Sequence, residues 1–229
     1  MLSALCSAAD SVPRETVSFP ALVSLDFAIL AIDKMIRTLS VVAPRSRSVP
    51  GNEMPEPCLS AEERRHAGAL MRINHVGEIC AQALYQGQAV VCRNSLVRQA
   101  LDKAAGEEVE HLAWTAQRIE ELGGRASYLN PFWYVGAAAI GIVAGKCGDA
   151  WSLGFLAETE RQVGAHLDSH LSALPDGDTK SRAIVLRMRD DEIAHAEMAT
   201  ALGGRGLPLP IRCLMRVSAK VMTRTAYHV

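Results

Sequence analysis

The chain has few aromatic residues, 5 % of 229, and almost no net charge, with 24 Lys and Arg against 25 Asp and Glu. Few rings leave no stacking platform for single-stranded nucleic acid, and balanced charge leaves no field that would attract a phosphate backbone. Nucleic acid is therefore not an expected partner. Closely spaced cysteines are also missing: Cys6, Cys58, Cys80, Cys92, Cys147 and Cys213 come no nearer than 12 positions, which excludes a C-x-x-C knuckle. A chain of this length needs no disulfide staples, so mostly buried, reduced thiols are expected. The N-terminus carries Asp10, Arg14 and Glu15 and fits neither a secretory nor a mitochondrial leader. The longest uncharged run, residues 126–145, is broken by Asn130-Pro131. The part of this run beyond the proline is shorter than the ~20 apolar residues a membrane span needs. Disorder is excluded in turn, because 49 % hydrophobic residues against 21 % charged supply ample surface to bury.

Helical periodicity, by contrast, is abundant. Residues 21–39 read as a first amphipathic helix, and residues 41–58, with Pro44, Pro50, Pro55 and Pro57, read as a linker. Ser60 with Glu63 three places later is a capping box opening a helix to about Val91. Further helices are expected over about 95–122, ending at Gly123-Gly124, over 148–174, and over 179–202. Between the second and third of these long helices lies an apolar stretch opened by Pro131 and rich in Gly and Ala. It reads equally as a buried helix or as a hairpin against a bilayer. The tail, residues 207–229, carries Arg212, Arg216, Lys220 and Arg224 and no acid, and is expected to form a basic C-terminal helix. The expected architecture is all-α, an antiparallel four-helix bundle with one excursion. The division is residues 1–58 as N-terminal extension, helix and linker, and 59–229 as the main domain with an insertion at 131–157.

Fifteen glutamates and seven histidines placed at random would give fewer than one Glu-x-x-His. Three occur: Glu63/His66, Glu108/His111 and Glu192/His195. Residues three apart share one helix face, so each pair can aim a carboxylate and an imidazole at one point. Glu78 lies mid-helix before the second pair. Glu158 or Glu160 does the same before the third, which makes two matching halves. Two antiparallel helix pairs would bring four carboxylates and two imidazoles to the bundle centre. Oxygen-rich donors in that number suit two iron or manganese ions rather than zinc. Ile73, Val76, Ile79, Val109, Leu112 and Ile193 around these residues point to burial. The Glu63/His66 pair, set among Glu62, Arg64 and Arg65, reads as an exposed helix start. His75 is one turn from Glu78 and reads either as a hydrogen-bonding group near the ligands or as a surface residue. His166 and His170, four apart, have chelating spacing, but a pocket or surface role is preferred. Asp190 and Asp191 read as an exposed face rather than as partners of a ligand imidazole. Gly203-Gly204-Arg205-Gly206 is not a dinucleotide loop, since no strand precedes it.

Three segments, Arg72-Ile73-Asn74-His75-Val76-Gly77-Glu78, Glu107-Glu108-Val109-Glu110-His111-Leu112 and Arg189-Asp190-Asp191-Glu192-Ile193-Ala194-His195, closely resemble the demethoxyubiquinone hydroxylase family, the Coq7-type di-iron monooxygenases. The resemblance runs from about residue 24 to the C-terminus; residues 1–23 match nothing. It implies a ferritin-like bundle holding two Fe ions through Glu78, Glu108, His111, Glu160, Glu192 and His195. Glu108 and Glu192 would bridge, Glu160 would be chosen over Glu158, and His166 would lie near the quinone. It implies O2-dependent hydroxylation of the ring of a polyprenyl benzoquinol in ubiquinone biosynthesis, with NADH or the quinol as reductant. It also implies peripheral attachment to the cytoplasmic face of a bacterial inner membrane. There, residues 131–155 would form a lipid-facing hairpin, helped by the basic tail. A second copy of the chain or a lipid-binding accessory protein of the quinone pathway are the protein partners to look for. The competing readings are a rubrerythrin-like peroxidase, a quinol oxidase and an iron-storage bundle.

Overall fold

The computed structural model describes residues 21–40, 46–55 and 58–229. Among these there are seven α-helices and no strand. Contacts divide the chain after Lys34. Ala21–Lys34 is helical and belongs to the first unit, as part of α1 (Ala21–Ser40). Residues from Met35 onward form the second unit. The expectation for residues 1–20, and much of that for the linker, lies outside the described residues.

The second unit is built on two hairpins, α2 (Ala61–Val91) with α3 (Ser95–Glu121), and α5 (Asp149–Ala173) with α6 (Thr179–Ala201). Their starts are fixed by side chains that take up orphan backbone donors. Ser60 and Glu63 form the capping box on α2, Asn94 accepts from Leu96 and Val97 on α3, and Asp178 accepts from Ser181 on α6. Asp178 also receives the buried Arg118 at 3.0 Å, which ties α3 to the start of α6. The apolar faces of the four helices meet in two clusters. One contains Leu84, Tyr85, Leu101, Leu153 and Leu156; the other contains Met71, Trp114, Leu167, Ile184 and Met188. Along every one of the four helices the Glu and His of interest fall between these two clusters, in the middle of the bundle.

The apolar excursion is α4 (Asn130–Lys146), a helix laid along α2. The two backbones come close because glycines face the contact. A Cβ on Gly141 would stand 2.2 Å from the Leu84 carbonyl oxygen, and one on Gly87 would stand 2.4 Å from that of Ala138. The opposite face of α4 is open, with Phe132, Val135, Ile140 and Val143 all exposed. The expected hairpin, residues 131–155, is thus only partly outward: Leu153 lies in α5 and belongs to the core, and Phe155 packs against it. The last helix, α7 (Leu209–His228), crosses α2 and α5. Arg72 holds its end by donating to the carbonyls of Ala226 and Tyr227 at 2.8 and 2.7 Å.

The thiols do not follow expectation. Of the five described cysteines only Cys92 is buried, while Cys58, Cys147 and Cys213 are exposed. Cys147 follows the last residue of α4 and Cys213 sits on the outer face of α7, so neither reaches the core.

Candidate metal centre

Each helix of the bundle contributes one turn to the central layer. Glu78 comes from α2, Glu108 and His111 from α3, Glu160 from α5, and Glu192 and His195 from α6; all six are buried. Their donor atoms form two groups, Glu78, Glu108, His111 and Glu192, and Glu108, Glu160, Glu192 and His195, each within a 4.8 Å span. Glu108 and Glu192 belong to both groups. His111 turns Nδ1 inward, 3.1 Å from Glu108, 3.5 Å from Glu78 and 3.4 Å from Glu192. His195 does the same, 3.4 Å from Glu108, 3.4 Å from Glu192 and 3.9 Å from Glu160.

The same geometry repeats on the outside. His111 Nε2 meets Asp191 Oδ2 at 3.0 Å, and His195 Nε2 meets the carboxylate of Glu107. The acid beside each Glu of one Glu-x-x-His therefore holds the imidazole of the other. Asp191, read from sequence as part of an exposed face, is only 12 % exposed and also receives Arg47 at 2.7 Å and Arg187 at 2.9 Å. An acid directly before both Glu108 and Glu192 is the repeated signal that could have found this pairing. Arg47 carried no signal at all, since it lies in the proline-rich linker.

Charge in this layer is unbalanced without cations. Burial, then the Glu108 charge, lifts Glu78 well above the usual carboxylate range; burial, then Glu192, does the same to Glu160. Burial would also raise Glu108 and lower His111. Hydrogen bonds and opposite charge outweigh it, so Glu108 is held well down and His111 well up. His195 is pushed up to about 12 against its burial, by the carboxylates of Glu108 and Glu192, each 3.4 Å away, and by Glu160. Both oxygens of Glu160 and of Glu192, Oε1 of Glu108 and Nδ1 of His195 are buried without a hydrogen-bond partner. Such atoms are costly to bury unless something else occupies their lone pairs. Two divalent cations fit: the donors are hard oxygens with one imidazole for each ion.

The remaining candidates sit apart from this layer. Glu158 turns away to meet Arg212 of α7 at 3.1 Å and neighbours Arg161 at 3.8 Å. His75 is buried, not on the surface, and bonds Thr115 Oγ1 at 3.0 Å; burial pushes its pKa down to about 4. His166 and His170 lie side by side with ring centroids 4.0 Å apart and planes tilted by 60°, and neither belongs to a donor group. In the third pair Glu63 is used by the capping box, and His66 bonds Tyr227 and the Ala173 carbonyl. Ile193, expected from the sequence to be buried, is 48 % exposed. It lines an open groove of about 700 Å³ between α5 and α6 that reaches Glu160.

The family model described as "Ubiquinone biosynthesis protein COQ7" matches residues 65–226. A 3-demethoxyubiquinol 3-hydroxylase of Azoarcus sp. (strain BH72) is 61 % identical over 204 residues, covering 89 % of this chain and 99 % of the relative. One of Chromobacterium violaceum is 60 % identical over 205 residues, with 90 % and 100 % covered. One of Nitrosomonas eutropha is 58 % identical over 208 residues, with 91 % and 100 % covered. Matched over more than two thirds of its length, the chain belongs to the COQ7 family of ubiquinone biosynthesis proteins.

Proposed function

We propose that the chain is a 3-demethoxyubiquinol 3-hydroxylase, a monooxygenase that uses O2 and two iron ions to hydroxylate the ring of a polyprenyl benzoquinol. The carrying observation is the layer of four carboxylates and two imidazoles, whose two donor groups share Glu108 and Glu192. In this reading Glu78, Glu108, His111 and Glu192 would hold one ion, and Glu108, Glu160, Glu192 and His195 would hold the other. When bound, a pair of ferrous ions supplies electrons to O2, so that one oxygen atom enters a ring C–H bond and the other leaves as water.

The chain's own part is confinement and orientation. The apolar clusters on both sides of the layer keep bulk water from the reacting atoms, which strengthens every charge interaction there. Asp191 and Glu107 hold the imidazoles with Nδ1 facing the centre, which fixes the tautomer. NADH or the quinol itself would supply the reductant. The apolar outer face of α4 would rest on a membrane and admit the isoprenoid tail. Among the described residues no helix is long and apolar enough to cross one, so attachment would be peripheral. A bacterial inner membrane, on its cytoplasmic side, is the expected location.

The direct test is to supply 3-demethoxyubiquinol, labelled O2 and a reductant to iron-loaded protein and to follow label into the hydroxylated product. Glu108→Ala and Glu192→Ala each damage both donor groups at once and should abolish the product while leaving the helical circular dichroism intact. Full activity in either variant would overturn the ligand assignment.

A further inference from the structure

The two cation positions are covered differently. Over the His111 side lies a strap from the linker. The Ser46 amide and hydroxyl and the Arg47 amide all donate to Oε1 of Glu110, at 2.6, 2.6 and 3.3 Å. Glu110 is on α3, next to His111. The strap's guanidinium lies 4.7 Å over the Trp114 ring and donates to the same Asp191 oxygen that meets His111 Nε2. Residues 46–47 thus join α3 to α6 across the outside of His111, which has no exposed surface. On the His195 side the outer acid is Glu107, 34 % exposed, with the exposed Lys103 at 3.9 Å. The α5/α6 groove opens on Glu160 from that half.

An ion leaves a site of this kind when a ligand swings away. His111 cannot turn without breaking its contact to Asp191, and Asp191 is held by the charge-assisted bond from Arg47 Nη1 at 2.7 Å, as well as by Arg187 of its own helix at 2.9 Å. Among the described residues Glu107 has no arginine bound to it, and the exposed Lys103 stands 3.9 Å away. Resting on the two-ion reading above, we propose that Arg47 is a positioning residue that closes the Glu78–His111 ion position. The Glu160–His195 position is then the one that exchanges ions with solvent.

The experiment is a chelator challenge of Fe(II)-loaded protein without O2, followed by the colour of the ferrous chelate. Wild type should release two ions per chain in two phases of one ion each. Arg47→Gln should speed the slow phase about ten- to hundredfold, the range seen when a partner behind a metal ligand is lost, and leave the fast phase unchanged. Glu107→Gln should speed the fast phase alone. Arg47→Lys keeps the charge and a single donor for Asp191 and should restore part of the slow phase, which a purely packing role for Arg47 would not require. Glu110→Ala frees the strap from its other anchor and should act like Arg47→Gln; it carries the test if that variant does not fold. One phase containing both ions, or a slow phase unmoved by Arg47→Gln and Glu110→Ala, overturns the proposal. Uptake of fewer than two ions overturns the two-ion reading beneath it, so the two failures are distinguishable.

Discussion

Glu78 and Glu160 are lifted by burial and like charge, and His111 and His195 are raised by the carboxylates around them. In the cation-free chain all four therefore bind a proton more tightly than the free side chains do. Divalent cations must displace those protons, so metal uptake should release protons, and affinity should fall as pH falls. Calorimetry of Fe(II) binding in buffers of different ionisation enthalpy measures the number released; a heat independent of buffer would contradict this. At the scale of single residues, the ligand types were legible because two of the three Glu-x-x-His pairs follow a mid-helix Glu on the preceding helix; in the third, among charged neighbours, Glu63 serves a cap instead and His66 bonds Tyr227. Asp191 was partly legible, because an acid precedes the Glu of both pairs, but which imidazole it meets depends on which helix packs beside α3. Arg47 was not legible, since its role depends on where a proline-rich segment comes to rest.

The helices themselves were legible to within a residue or two, because caps and breakers mark them: Ser60 with Glu63 opens α2, and Pro175 and Gly177 separate α5 from α6. Less legible was the apolar stretch, whose small residues fit a buried helix as well as a lipid-facing one. The structure divides the two readings between the faces of α4. Gly141 makes this testable at the level of one helix contact. Gly141→Ala puts a Cβ 2.2 Å from the Leu84 carbonyl oxygen, so one backbone must move. A loss of about 1–3 kcal/mol is expected, as for overpacked cores. Chemical denaturation reads it, and a variant as stable as wild type would mean that α4 does not pack as closely as described. Gly136, with nothing within 4 Å of its Cβ position, is the control site.

Among the described residues the exposed apolar side chains gather on α1, α4 and α7. On α7 Leu214, Val217 and Val221 lie beside Arg212, Arg216, Lys220 and Arg224. Such a combination favours an anionic lipid surface. If the proposed attachment is right, Phe132→Lys with Val143→Lys should weaken binding to anionic vesicles by at least about tenfold. The basis is ~1.5–3 kcal/mol for each large apolar side chain buried, where 1.4 kcal/mol is a factor of ten. Co-sedimentation measures it, and unchanged binding would move the contact away from α4.

The exchange of partners between hairpins makes each half incomplete. A solitary α2–α3 hairpin would possess Glu78, Glu108 and His111, yet lack the third carboxylate of that donor group and the acid behind its imidazole, both of which reside on α6. The α5–α6 hairpin is deficient in the mirror-image way. Neither half of the chain can therefore assemble a finished donor group, and the centre exists only once both hairpins are docked.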